Sequence, residues 1–190
     1  INSINSNAKF GKGEWAVLEA DESDGSFLKL PINYSVITNI DNEHLDFYKN
    51  FDNLKKAFIK FINKTPPIGK TIICLDDLNV REILTKIKTK NYLSYGFNIN
   101  SNYQIFNEKF NPEFSTFDLK IKNYGFKKIV IKKFNLNLIG KYNILNATAA
   151  IAICLNLGIK ISIIKKALKN FSGVQRRLTR IFVSEIGWLI

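Results

Sequence analysis

The sequence predicts an α/β fold, a mostly parallel sheet flanked by helices, with an antiparallel strand section in its middle. Short apolar runs at Trp15–Glu19, Tyr34–Ile40 and Thr71–Leu75 have the make-up of strands buried on both faces. Amphipathic helical segments follow the second and third runs, which is the pattern of βαβ units. From Tyr92 to Asn137 the pattern changes to alternating apolar and polar residues, as in antiparallel strands with one wet face.

Each element has its own reason. Between Asp52 and Asn63, residues Leu54, Phe58, Phe61 and Ile62 share one helical face. Leu78–Thr89 reads as a second helix. Phe117–Lys122 and Lys128–Lys133 alternate, and Asn123-Tyr124-Gly125 between them is a turn signal. Asn143–Leu157 is an Ala-rich helix with Gly158 placed to close its C-terminus. Ser162–Lys169 starts another helix with Ser162 as its N-cap, and Phe171-Ser172-Gly173 breaks it. Arg180–Ile186 reads as a new strand. The expected division is one domain over residues 1–174 and the beginning of a second over residues 175–190.

Composition narrows the function classes. The 190 residues are 46% hydrophobic and 23% charged, which excludes intrinsic disorder. No apolar run approaches the roughly 18 residues of a membrane span. Cys74 and Cys154 sit in apolar stretches and read as buried thiols of a reduced, cytoplasmic protein. The net charge of +12 invites a nucleic-acid partner. Lysines are spread along the chain, however, and Lys, Ile and Asn all have AT-rich codons, so a low-GC genome accounts for the charge without such a partner. The sequence contains no Met, so Ile1 is not a natural start and the chain is expected to be a fragment.

Chemistry concentrates at the predicted strand ends. Four acids fall within Glu19–Asp24, directly after the first apolar run. Ligands in open α/β sheets sit beyond the carboxyl ends of the strands. Carboxylates held together there repel one another unless a cation joins them, and Mg²⁺ takes oxygen ligands together with substrate phosphates. A solvated acidic turn is the alternative. The second strand also ends in acids, at Asp41–Asp46, around His44, the chain's single histidine. Its imidazole could complete a metal shell or contact a phosphate. Gly69-Lys70-Thr71 looks like the tail of a phosphate-binding loop, but position 64 is Lys where that loop needs Gly. The stretch also continues as a strand, not a helix, so the site is rejected.

Asn143 and Asn146 are three apart and share a helical face. Asn143 reads as an N-cap. A side-chain amide such as that of Asn146 offers a donor and an acceptor that match the N6 and N7 edge of adenine. A cap plus a polar surface residue is the alternative. Arg176 and Arg177 follow in the suspected linker, and arginine suits bidentate phosphate contact.

Taken together, five stretches resemble the Mur ligases of bacterial peptidoglycan synthesis. They are EADESDGSFL (Glu19–Leu28), TNIDNEHLDFY (Thr38–Tyr48), DNLKKAFIKFI (Asp52–Ile62), GKYNILNATAAIAI (Gly140–Ile153) and FSGVQRRL (Phe171–Leu178). The run Ser23–Phe27 is similar to the branch that adds L-alanine to UDP-N-acetylmuramate. The resemblance implies a P-loop-NTPase-like central domain in a three-domain, ATP- and Mg²⁺-dependent ligase. The γ-phosphate of ATP would pass to the muramic acid carboxylate, and the amine of L-alanine would attack the resulting acyl phosphate. Glu19 and His44 match the family's Mg²⁺ ligands and would be catalytic in that sense. Asn143 and Asn146 match its nucleotide-side asparagines, and Arg177 an arginine that reaches ATP. Glu43 stands where the family has Asp, and Tyr142 where it often has His. The glycine-rich loop is expected before Ile1, so the chain alone is expected to be inactive. Other readings are a tripeptide-recycling ligase, a folylpolyglutamate synthase, or a noncatalytic basic nucleic-acid-binding domain.

Overall fold

The computed structural model of the chain describes residues 8, 11–124 and 127–173. Six strands form one sheet in chain order: β1 (Tyr34–Ile37), β2 (Lys70–Cys74), β3 (Tyr92–Gly96), β4 (Tyr103–Phe110), β5 (Ser115–Tyr124) and β6 (Lys127–Leu136). Strands β1 to β4 run parallel, and β4, β5 and β6 form an antiparallel meander. Helices α1 (Leu45–Tyr48), α2 (Phe51–Asn63), α3 (Leu78–Leu84), α4 (Lys141–Asn156) and α5 (Ile161–Asn170) complete the fold, with a 3-10 turn at Ser26–Lys29.

The sheet has a core on each face. On β2, Ile72 and Cys74 join the cluster built with α4 and α5, whereas Ile73 joins the one built with α2 and α3. All three are buried. Successive strand residues point to opposite faces, so a strand covered on both sides must be apolar at every position, as read from the sequence. Cys74 is buried as expected, whereas Cys154 is half-buried; desolvation raises both thiols above their usual range.

Local signals place the helices. Asn50 caps α2 by accepting from the Asn53 amide at 2.9 Å, and Asp77 caps α3 by accepting from Val80 at 2.7 Å. An ion pair between Lys55 and Glu82 links α2 to α3. Gly158, in the left-handed region at φ 76°, follows the end of α4 as expected.

Several expectations need correction. Trp15–Glu19 is irregular and exposed, with Val17 95% accessible. An apolar run becomes a strand only when a neighbour satisfies its backbone groups. Among the described residues β1 pairs with β2 alone, and the Trp15 ring of the segment is set edge-on to Tyr34 at 5.7 Å without any ladder between them. Tyr92–Gly96 is parallel to β2, because the α3 crossover returns the chain in the same direction; the antiparallel section begins with β4 and β5. α3 ends at Leu84, not Thr89. Asn63 Oδ1 accepts from the amides of Lys88 and Thr89 at 3.0 and 3.4 Å, which holds them off the helix path. α5 starts at Ile161 with Lys160 as N-cap, so Ser162 lies inside it. Arg180–Ile186 and the proposed second domain, residues 175–190, lie outside the described residues.

Two irregularities in the meander share one anchor. Asn107 and Lys133 have positive φ (52° and 60°) at register shifts on either side of β5. Between them, Asp118 Oδ1 accepts from the Lys133 amide at 2.8 Å and Oδ2 from the Asn107 side chain at 3.0 Å. Partial burial raises the Asp118 pKa, but the hydrogen bonds to Lys133 and Asn107 outweigh it and hold the group below 3.8. The stabilisation is therefore present above the ordinary carboxylate pKa and is lost as pH falls below it through the depressed folded value. Asp118→Ala is expected to cost about 1–3 kcal/mol in urea unfolding at neutral pH. The difference from wild type should shrink in acid; an unchanged midpoint at pH 7 would show that the bulges hold themselves.

Candidate functional site

The acidic loop after Glu19 is shaped by its own side chains. Asp21 accepts from the Ser23 amide at 2.8 Å and Asp24 from the Ser26 amide at 2.9 Å. These are Asx turns. Bonds from Ser23 hold the Asp21 carboxyl below its usual range, helped weakly by His44, and bonds from Ser26 do the same for Asp24. Both therefore remain anionic at neutral pH. Gly25 has φ 71°, and a Cβ there would press on the Phe47 ring at 3.1 Å. The Tyr48 hydroxyl donates to the Glu22 carbonyl. The loop is thus seated on α1, the helical turn that follows β1.

His44 occupies the N-cap of that turn in a left-handed conformation, φ 57° and ψ 31°. A non-glycine residue there is uncommon and fixes where the imidazole can go. Its Nε2 lies 3.7 Å from Glu22 Oε1 and 3.9 Å from Glu43 Oε2. The acidic loop and the β1 end therefore meet as the sequence suggested, but the acid nearest His44 is Glu22. Glu19 is exposed and forms neither an ion pair nor a hydrogen bond with His44 among the described residues. No three His, Cys, Asp or Glu side chains among the described residues are grouped to hold a metal. What the loop offers Mg²⁺ is a partial shell, which suits an ion that is usually held by one or two carboxylates plus substrate phosphates.

A second strand end, missed from the sequence, belongs to this region. Asp76, just past β2, accepts from the amides of Phe97 and Asn98, both at 2.9 Å. Gly96 runs at φ 143° against that carboxylate, where a Cβ would come within 2.6 Å of Oδ1. The Asn79 side chain donates to the Ile40 carbonyl at 2.7 Å. These bonds tie the ends of β1, β2 and β3 together. The signal was available: Asp76-Asp77 follows the TIICL run just as the other acids follow theirs. Gly69-Lys70-Thr71 enters β2 and not a helix, which agrees with its rejection as a phosphate loop.

The two asparagines lie at a separate feature, a cavity of about 570 Å³ between the end of β6, the first turns of α4, and α5. Leu136, Leu138, Ala147, Leu168 and Phe171 line it, with Asn143 and Asn146 among the few polar groups. Its volume is in the range of small-molecule sites. Asn143 is not the N-cap; Gly140 is, at φ 109°, and the Asn143 side chain donates back to the Ile139 carbonyl at 2.8 Å. That leaves its carbonyl oxygen as the available group. Asn146 is exposed one turn further on, and its side chain makes no hydrogen bond among the described residues. Tyr142, 82% accessible, stands at the mouth. Arg177 lies outside the described residues.

Comparison with known proteins agrees with this arrangement. Residues 2–154 match the Mur ligase middle domain. The UDP-N-acetylmuramate–L-alanine ligase of Pelagibacter ubique is 52% identical over 182 residues, covering 96% of this chain and 39% of that protein. The ligase of the same name from Agrobacterium fabrum is 44% identical over 180 residues, covering 94% and 38%. The solved UDP-N-acetylmuramate–alanine ligase of Thermotoga maritima superposes with a TM-score of 0.72 at 24% identity, over 88% of this chain and 35% of that one. The MurF structure from Acinetobacter baumannii gives 0.63 at 25% identity, over 77% and 31%. The chain spans about two fifths of the length of the curated relatives it matches.

Proposed function

The chain belongs to the Mur ligase family, and from that premise we propose that it forms the nucleotide-binding middle part of an ATP-dependent ligase joining L-alanine to UDP-N-acetylmuramate. The observation that carries the reading is the 52% identity to a relative of that name across 96% of the chain. The alignment takes in the acidic loop after Glu19, the acids around His44 and the helix that lines the cavity.

The chemistry divides between the two features. Transfer of the γ-phosphate to the muramic acid carboxylate is governed by positioning and charge neutralisation. Mg²⁺, when bound, supplies that neutralisation. Glu19 and His44 are its proposed ligands, and the loop hydrogen bonds fix the carboxylates that surround it. The acyl phosphate then takes the amine of L-alanine and releases phosphate. The cavity is the proposed seat of the adenine: apolar walls take the ring faces, the Asn146 amide meets the N6 and N7 edge, and Asn143 supports it. Arg177 is the proposed phosphate contact, and residues 175–190 the start of an amino-acid-binding domain. Use of ATP and a UDP-sugar implies the cytoplasm. No helix among the described residues is long and apolar enough to cross a membrane.

The test uses the intact protein that carries this chain, since the 190 residues include no glycine-rich phosphate loop. Phosphate release should require ATP, UDP-N-acetylmuramate and L-alanine together. Release with a tripeptide or a folate–glutamate pair, and none with L-alanine, would move the protein to another branch of the family. Asn146→Ala should raise the KM for ATP about tenfold, the loss of roughly one good hydrogen bond, with kcat little changed. An unaltered KM would remove Asn146 from the nucleotide site.

A further inference from the structure

The excess positive charge is not distributed like the lysines. Residues 1–118 carry 14 basic and 15 acidic residues, a net of −1, whereas residues 119–190 carry 14 basic and one acidic residue, a net of +13. Codon bias raises lysine everywhere and does not remove acids from one part of a chain. From Leu119 to Gly173 there are 11 lysines and no Asp or Glu. Because strand order follows chain order, β5 and β6 carry this charge at one edge of the sheet, and α5 packs on β6. The basic part contains most of β5, all of β6 at one edge of the sheet, and α4 and α5. The cavity with Asn143 and Asn146 is walled by those same elements. Lys133, three residues before Leu136, Lys141 beside Tyr142, and Lys166 and Lys169 flanking Ala167 and Leu168 are exposed close to that cavity, with no ion pair among the described residues.

We propose that this basic part is a collecting surface for the polyphosphate of the incoming nucleotide. The inference rests on the assignment of ATP as substrate. A nucleoside triphosphate carries several negative charges, and the acidic loops after Glu19 and β1 repel it. A strong field of the opposite sign around the cavity raises the encounter rate without touching the bound ligand. The lysines therefore act on association and not on the stability of the complex.

Stopped-flow association of a fluorescent ADP analogue with the intact protein tests this. The association rate should fall about tenfold or more from low to high salt. Changing Lys133, Lys141, Lys166 and Lys169 together to Gln should lower the low-salt rate about threefold or more and leave dissociation unchanged. Changing four exposed lysines of the neutral part, Lys29, Lys56, Lys88 and Lys90, to Gln should have a much smaller effect. Equal effects of the two quadruple variants, or a salt-independent rate, would overturn the proposal while leaving the ATP assignment standing. No binding at any salt would remove that assignment and the inference with it. Steep salt-dependent binding of the wild type to generic duplex DNA would reassign the surface to nucleic acid.

Discussion

Glu19→Ala in the intact protein is expected to slow acyl phosphate formation about a hundredfold or more, the usual consequence of removing one group that stabilises transition-state charge. Folding should be unaffected. Glu19 is exposed and has no ion pair among the described residues, and surface changes of that kind stay within about 0.5 kcal/mol. The two outcomes separate a ligand from a structural acid. Rapid-quench measurement of ADP formation reads the first, and thermal unfolding the second. The Mg²⁺ concentration for half-maximal rate should also rise. Glu22→Ala is the necessary companion, because Glu22 and not Glu19 faces His44, at 3.7 Å. Normal turnover in Glu19→Ala together with a collapsed rate in Glu22→Ala would transfer the metal role to Glu22.

Gly69→Ala should be the most damaging glycine-to-alanine change among the described residues. A Cβ at Gly69 would overlap the backbone carbonyl of Asn33, and no side chain there can swing away to make room. Asn33 leads into β1 and Gly69 into β2, whose first residues, Tyr34 and Lys70, are register partners. Both ends of the clash are held. Gly69 donates to the Pro66 carbonyl at 3.0 Å, and the Asn91 side chain donates to the Gly69 and Pro67 carbonyls. The only relief is to push the strands apart, so the expected cost is about 3 kcal/mol or more, read as a lower urea midpoint. Gly13→Ala, where a Cβ would meet nothing within 4 Å, is the control. A wild-type midpoint for Gly69→Ala would mean that β1 and β2 can separate freely at their starts.

The fold was legible where the hydrophobic pattern and the local end signals agreed. Leu54, Phe61 and Ile62 are buried on one face of α2, and Gly158 closes α4. Legibility failed where an element depends on its neighbours. The composition of Trp15–Glu19 suits a strand, but a strand also needs a ladder partner. The composition of Tyr92–Gly96 suits a strand running either way, so its direction came only from the crossover. The candidate site divides in the same way. The meeting of the acidic loop with His44 was expected from two strand ends, but only His44 follows a strand; the loop is shaped by its own Asx turns and held to α1 by Tyr48 donating to the Glu22 carbonyl. That Glu22 is the acid beside it depends on Asx turns and a left-handed His44 that spacing does not encode. The anchoring role of Asp76 was missed because its partners, Phe97 and Asn98, lie 21 and 22 residues away.

The neighbour-by-neighbour order of the sheet bears on how the molecule is made. Each strand bonds to the one synthesised just before it, so the ladder can grow as the chain leaves the ribosome, without waiting for a distant partner. The exception is α4, which packs back on β2, β3 and β4. Until it emerges, the Ile72, Cys74 and Tyr95 side of the nascent sheet has no cover. During that interval the growing chain is most exposed to aggregation and most in need of a chaperone.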